Sequence, residues 1–448
     1  MDEYLEMVIS QIRCKKARPY IKDELKSHIE DQIADNVEAG MHKADAEKSA
    51  VEDMGDPVEA GISLDLIHKP QVAWKLLALI TVVSIVGILI HSLLSYQLRQ
   101  YEGEALRVSS GSENYIISVL AGILIMFLIY LVDYTTIARF SKLIAIGFLG
   151  FILAGITFGV TVNGRMESLG VGSVRVSLSA IMMLYVPIYG AVIYKYHGTG
   201  YRGLCKSILW MIVPVLLAFR LPSVMLAGVL LISMMVQLTI AIANNWFCVS
   251  GKKVIAGLWG CAVGLPVFGL AGMYGFHLLA SYQEARIRAF LTSSGDAGYL
   301  TSVLRSLLKS SRLVGNSGQE IIGVLPDFNS DHILAYLITS YGLLAGIGIC
   351  CIMSAVILLV FGASLQQKNQ LGMVMGCGCG MIFLLNAFIN VLENIGAFPP
   401  TQTFLPFFSA GGSGIVLSYA LVGIILSIYR FKNVYPKHVK TGFKLTAK

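Results

Sequence analysis

Long runs of apolar residues, each about the length of a membrane crossing, alternate with short polar interruptions over most of this chain. A helix needs roughly 20 predominantly apolar residues to cross the hydrocarbon core. Such runs are read at 73–95, 114–134, 141–162, 176–194, 207–220, 222–243, 254–275, 333–361, 371–394 and 413–430, ten in all. The first 70 residues follow another rhythm. Pro19 can open a helix, after which Ile21, Leu25, Ile29, Ile33 and Val37 recur every fourth residue among charges, the stripe of an amphipathic helix that Gly40 closes. A second helix over 44–54 ends at Gly55-Asp56-Pro57, and a third leads to Pro70. The pattern predicts an all-α, polytopic membrane protein of about ten transmembrane helices over 71–448, preceded by a small helical bundle over 1–70.

Composition agrees. The chain is 55% hydrophobic and 14% charged, with mean hydropathy +0.70, where a soluble protein carries roughly a quarter of its residues charged. Residues 1–72 hold 9 basic and 16 acidic side chains, net −7, against 25 and 11, net +14, in the remainder. The prefix has neither the basic n-region nor the apolar h-region of a signal peptide, so it is expected to be retained in the cytoplasm. The short loops assigned to its side are basic: Arg139 and Lys142; Lys195, Arg202 and Lys206; Lys252 and Lys253; Lys368; and a tail from Arg430 to Lys448. The opposite short loops carry few cations, so the positive-inside rule places both termini in the cytoplasm and the chain in the plasma membrane. The tail reads as a topology determinant in contact with anionic lipid, with no nucleic-acid partner. None of the eight cysteines falls in a loop expected outside, which argues against a disulfide framework. Cys377-Gly378-Cys379 reads as small packing residues. No cluster has metal-ligand spacing, and no cofactor is expected.

The last two runs are joined by an unusual interruption. Residues 387–414 contain Pro399, Pro400, Pro406 and a Gly411-Gly412-Ser413 turn. Non-helical backbone at membrane depth persists only where protein or a water-filled cavity shelters it. This segment is therefore expected to line a hollow.

Asn390, Pro399, Thr401, Leu405-Pro406-Phe407, Ser409 and Gly411-Gly412-Ser413 fall without a gap on N-x(8)-P-x-T-x(3)-LPF-x-S-x-GGS. That run resembles the C-terminal signature of the SEDS membrane proteins (FtsW, RodA, SpoVE), which polymerise cell-wall glycan from lipid-linked precursors. The loop over 276–331 is long enough to expect a function of its own. Its opening, Tyr282-Gln283-Glu284-Ala285-Arg286-Ile287-Arg288-Ala289-Phe290-Leu291, is similar to the family's YQxxRIxxFL. Asp296 follows at the position of an aspartate proposed to be catalytic. Residues 325–335 are similar to LPExxTDFIFA.

The resemblance implies a specific chemistry. A sugar hydroxyl attacks an anomeric carbon that bears a polyprenyl diphosphate, and a carboxylate accepts its proton as the bond forms. Asp296 is the candidate base. Arg286, with Arg288 or Arg312, is the candidate partner of the diphosphate, with which a divalent cation could travel. Ser409, Gly411, Gly412 and Ser413 are candidate substrate-binding residues. Asp331 reads as a helix cap, and Glu393 as a buried carboxylate facing protein or water. Implied partners are lipid II or another polyprenyl-diphosphate-linked sugar, membrane lipids and a penicillin-binding transpeptidase. The prefix resembles the helical domain ahead of some bacterial permeases, which implies regulation or docking.

The chain departs from the family where RWxxLGxxxxQPSExxK is usual: Met166, Leu178 and Ile181 replace the tryptophan, glutamate and lysine. QPDLGT has become Leu221-Pro222-Ser223-Val224-Met225-Leu226, again without its carboxylate. A non-catalytic protein that binds a lipid-linked precursor or a partner, and a permease, therefore stand as alternatives.

Overall fold

The computed structural model describes residues 1–102, 111–162, 165–171, 174–221, 223–275, 296–319, 321, 323–401 and 403–437. The amino-terminal bundle has four helices: α1 (Asp2–Gln11), α2 (Arg18–Glu38), α3 (Lys43–Asp53) and α4 (Pro57–His68). The first of these is not evident from periodicity alone. It supplies Tyr4, Leu5 and Val8 to a small core with Ile29 and Ala50. Ile21 and Ile29 of the α2 stripe are buried, whereas Val37, near the helix end, is 42% exposed because the bundle is too short to cover it. Asp56 caps α4 by accepting from the Val58 and Glu59 amides at 2.7 and 2.9 Å.

The membrane domain follows as α5 (Trp74–Glu102), α6 (Gly111–Leu131), α7 (Tyr134–Arg139) and α8 (Ser141–Phe158). After a small sheet come α9 (Leu178–Met183), α10 (Tyr185–Tyr194), α11 (Gly200–Ala218), α12 (Val224–Ala243) and α13 (Gly251–Gly275). The chain ends with α14 (Asp296–Ser310), α15 (Ile333–Tyr341), α16 (Leu343–Leu365), α17 (Gln370–Asn394) and α18 (Gly412–Arg430). Among the described residues, α5, α6, α8, α11, α12, α16, α17 and α18 are long and apolar enough to cross a membrane. The broken pair α9–α10, over Leu178–Tyr194, and the 25-residue α13 complete a polytopic body that is helical but for that small sheet.

Three boundaries differ from the sequence reading. Residues 160–162, expected to finish one span, form β1 (Val160–Val162), which pairs with β2 (Arg165–Val171) and then β3 (Val174–Ser177) in an antiparallel meander. Alternating valines favour paired strands over a helix. The run 333–361 is two helices, because Gly342 adopts φ +102° between α15 and α16. A side chain there would also collide with the Leu313–Val314 backbone at 2.7 Å. The run 207–220 begins earlier, since α11 starts at Gly200.

α17 lies at the centre. Its glycines let neighbours approach closely, with Gly376 against Ser364 of α16 and Gly378 against Gln237 of α12. α18 packs along α6, where Gly122 accepts the Tyr419 ring and Gly423 the Met126 backbone. The bundle is seated at the far end of α18. Lys16 Nζ lies 2.6 Å from an Asp133 carboxylate oxygen, to which the Tyr435 hydroxyl also donates. The Gln71 amide donates to the Arg430 carbonyl at 3.0 Å. Asn433 Nδ2 donates to the Ile67 carbonyl at 3.2 Å.

Candidate functional site

The broken segment after α17 is stapled by that helix's own polar stripe. Asn386, Asn390, Glu393 and Asn394 recur at helical spacing and are all buried. Asn390 Nδ2 donates to the carbonyls of Asp331 and Thr403, both at 2.8 Å. Asn394 Nδ2 donates to the Asp331 carbonyl at 3.0 Å, and its Oδ1 accepts from the Ala335 amide at 2.9 Å. Glu393 is fully buried and accepts from the Thr401 amide and hydroxyl, and from Thr403 Oγ1 at 2.6 Å. A buried carboxylate is tolerable only with its lone pairs filled in this way. Two loops distant in sequence, 329–335 and 395–411, are thereby locked side by side.

A hollow of about 280 Å³ opens beside them. Its wall is made by the starts of four helices: Ser177 and Ser179 at α9, Ser223 at α12, Ser330 and Asp331 before α15, and Gly411 and Ser413 at α18. Asn386 and Thr401 contribute amide and hydroxyl groups from the α17 side. Ser177 and Ser223 accept from the Ala180 and Leu226 amides at 3.4 and 3.2 Å, as N-caps. Convergent helix N-termini bring the positive ends of their dipoles to one wall. Among the described lining residues Asp331 is the single carboxylate, and none is a lysine or arginine. The wall can therefore hold a polyhydroxylated or anionic group by hydrogen bonds, with one general base or acid at hand.

The candidates from sequence are distributed unevenly. Gly411 and Ser413 line the hollow. Gly412 faces Ser118 instead, where a side chain would meet Ser118 Oγ at 2.9 Å. Ser409 holds the turn, since its hydroxyl donates to the Ser330 carbonyl at 2.8 Å and accepts from the Leu405 amide at 2.7 Å. Arg312 is exposed, outside the lining, and its carbonyl accepts from the Leu343 amide at 2.9 Å. Asp296 is the first residue of α14. Arg286 and Arg288 lie outside the described residues. Asp331 is not the cap expected of it: His332 occupies that position without a side-chain bond, and Asp331 stands on the cavity wall.

Sequence reasoning passed over Ser177, Ser179, Ser223 and Asn386. Serines ahead of apolar runs were the available signal, but nothing in the sequence says that these helix starts share one end of the molecule. Arg305 was also missed. It donates to the Gly396 carbonyl at 3.0 Å and fixes α14 to the broken segment. Among the described residues, no group of three or more His, Cys, Asp or Glu is arranged to hold a metal ion.

The sequence profile of the FtsW/RodA/SpoVE cell cycle proteins matches residues 70–434. A probable peptidoglycan glycosyltransferase FtsW from Thioalkalivibrio sulfidiphilus is 29% identical over 288 residues, covering 61% of this chain and 68% of that protein. Stage V sporulation protein E of Bacillus subtilis is 26% identical over 326 residues, covering 70% and 85%. Among solved structures, a chain from a peptidoglycan synthase complex aligns over 80% of this chain and 98% of its own, with TM-score 0.64 at 16% identity. The crystal structure of the Thermus thermophilus rod shape determining protein RodA aligns over 81% and 97%, with TM-score 0.56 at 14% identity. At those identities the structural likeness speaks for the fold.

Proposed function

The chain belongs to the FtsW/RodA/SpoVE family of cell cycle proteins, and from that premise we propose that it is a divergent peptidoglycan glycosyltransferase polymerising lipid II at the outer membrane face, both termini cytoplasmic. The observation that carries this reading is the hollow itself, where two family signatures far apart in sequence meet in one wall of hydroxyls, amides and a single carboxylate.

In the proposed reaction the acceptor hydroxyl oxygen bonds to the anomeric carbon of the donor sugar. The bond from that carbon to the diphosphate oxygen breaks, and the diphosphate leaves with the electron pair. Asp296 takes the hydroxyl proton, and Arg286 with Arg288 neutralises the leaving group. The helix starts around the hollow turn the positive ends of their dipoles toward anionic oxygen. Asp331 is a second carboxylate able to orient the acceptor. A divalent ion, if used, arrives with the diphosphate. A penicillin-binding transpeptidase is the proposed partner, consistent with the likeness to a chain from a synthase complex.

The test is glycan synthesis from labelled lipid II by the purified protein. Asp296→Asn is expected to lower the rate by about 10²–10⁴-fold and Asp331→Asn by less, with both variants retaining precursor binding. Wild-type protein that binds lipid II without making glycan would transfer the conclusion to a second reading, a non-catalytic precursor-binding protein. That reading is favoured by Leu178 and Ile181, apolar at positions where the family carries charge. An Asp296→Asn variant as active as wild type would displace Asp296 as the base.

A further inference from the structure

At the end of the membrane body that holds the bundle, three cations gather without a role in the reaction. Arg139 ends α7, Lys142 lies in the first turn of α8, and Lys195 follows α10. Lys195 Nζ donates to the Arg139 carbonyl at 2.7 Å, which draws the two chain segments together. Lys142 Nζ lies 4.7 Å above the Tyr196 ring, next to Lys195 in sequence. Among the described residues neither lysine forms an ion pair with a carboxylate. Burial, with the Lys142 charge nearby, depresses the pKa of Lys195, so an anion placed between the two cations would be favoured.

The same three helices wall an apolar crevice of about 250 Å³. Ile137 of α7, Ile144 and Phe148 of α8, and Leu184 and Ile188 beside or on α10 line it, with α6 and α18 behind. On α8 and α10 the lining residues follow the cations along the same helices: Ile144 is two and Phe148 six residues beyond Lys142, and Ile188 is seven before Lys195. The cations therefore sit at one end of the helices that wall the crevice. On the outer face of α8, Leu143 and Ile146 are 71% and 60% exposed, as on a helix that borders lipid.

We propose that this crevice is a binding site for an anionic phospholipid, whose phosphate rests on Lys142, Lys195 and Arg139 while one acyl chain fills the cleft between α8 and α10. Charge at one end and hydrocarbon along the cleft match the two halves of that ligand. The site is independent of the proposed glycan chemistry.

The experiment is native mass spectrometry of the full-length protein released from nanodiscs of mixed phosphatidylglycerol and phosphatidylcholine with identical chains. Wild type is expected to retain phosphatidylglycerol preferentially. Lys142→Gln with Lys195→Gln should lower that preference by about fivefold for each cation removed, leaving phosphatidylcholine retention unchanged. Ile188→Trp should diminish retention of both lipids by filling the cleft. Glycerol 1-phosphate should not displace the bound lipid. Equal retention of the two lipids by wild type, an undiminished preference in the double lysine variant, or displacement by glycerol 1-phosphate would each overturn the proposal. The lysine variants change exposed or half-buried side chains, so the test does not depend on whether the tryptophan variant folds.

Discussion

Phe407 holds its backbone at φ +67°, a conformation that costs a bulky residue about 1–3 kcal/mol. The neighbourhood over-determines it. Its carbonyl accepts from the Tyr115 hydroxyl at 2.6 Å, and the next carbonyl, of Phe408, accepts from His91 Nε2 at 2.7 Å. The ring is stacked 5.6 Å from Phe383 and edge-on to Tyr419. The conformation turns the chain sharply enough for Ser409 to reach Ser330 and for Gly411 to face the hollow. Tyr115→Phe leaves the Phe407 carbonyl buried without its donor, at a cost of about 1–3 kcal/mol. The expected outcome is a lowered unfolding temperature in detergent and weaker precursor binding, with secondary structure unchanged by circular dichroism.

At the scale of elements, close helix pairs rest on glycines. Gly423 of α18 faces the Met126 backbone of α6, where a Cβ would lie 2.8 Å from the carbonyl oxygen. Backbone cannot rotate aside, so Gly423→Leu is expected to destabilise by about 1–3 kcal/mol. Gly147→Ala on α8, with nothing within 4 Å of the new methyl, should hold or raise the unfolding temperature, since alanine is the better helix former by about 0.5–1 kcal/mol. Much of this architecture was legible in sequence. Apolar run length identified the crossings, and prolines with Gly411-Gly412 marked the break after α17. Boundaries were less legible where a period changes: residues 160–162 and 176–177 sit at the ends of two apolar runs, yet valine alternation makes them strand. Residue placement was least legible of all. Asp331 looked like a cap because a carboxylate ahead of a helix usually is one. Only the asparagines of α17, which grip its carbonyl from another part of the chain, turn that position into a cavity wall.

For the molecule as a whole, the seating of the bundle depends on Asp133. Burial works to raise its pKa, but donation from Lys16 and Tyr435 and from the Thr135 amide outweighs it and holds the carboxyl below the usual range. A depressed folded pKa contributes stability above the unfolded value of about 3.9 and loses it as pH falls through the folded one. Asp65 behaves alike, held down by the Arg13 amide and guanidinium. The bundle should therefore stay protected from proteolysis at neutral pH and be released in acid, below about pH 4. Asp133→Ala should release it at neutral pH, costing about 1–3 kcal/mol. Lys16→Met costs less, about 1 kcal/mol, because Lys16 is half-exposed. Limited proteolysis across pH reads each outcome.

The opposite end of the molecule has a different vulnerability. The polar character of the hollow comes from hydroxyls gathered at the starts of α9, α12, α15 and α18, where the positive ends of the helix dipoles converge. The apolar Leu178 and Ile181 stand off that wall, so the hydroxyls and helix starts that build it do not depend on the charges those two positions lack. A change that unwinds one of those helix starts would reshape the hollow even with every lining side chain kept.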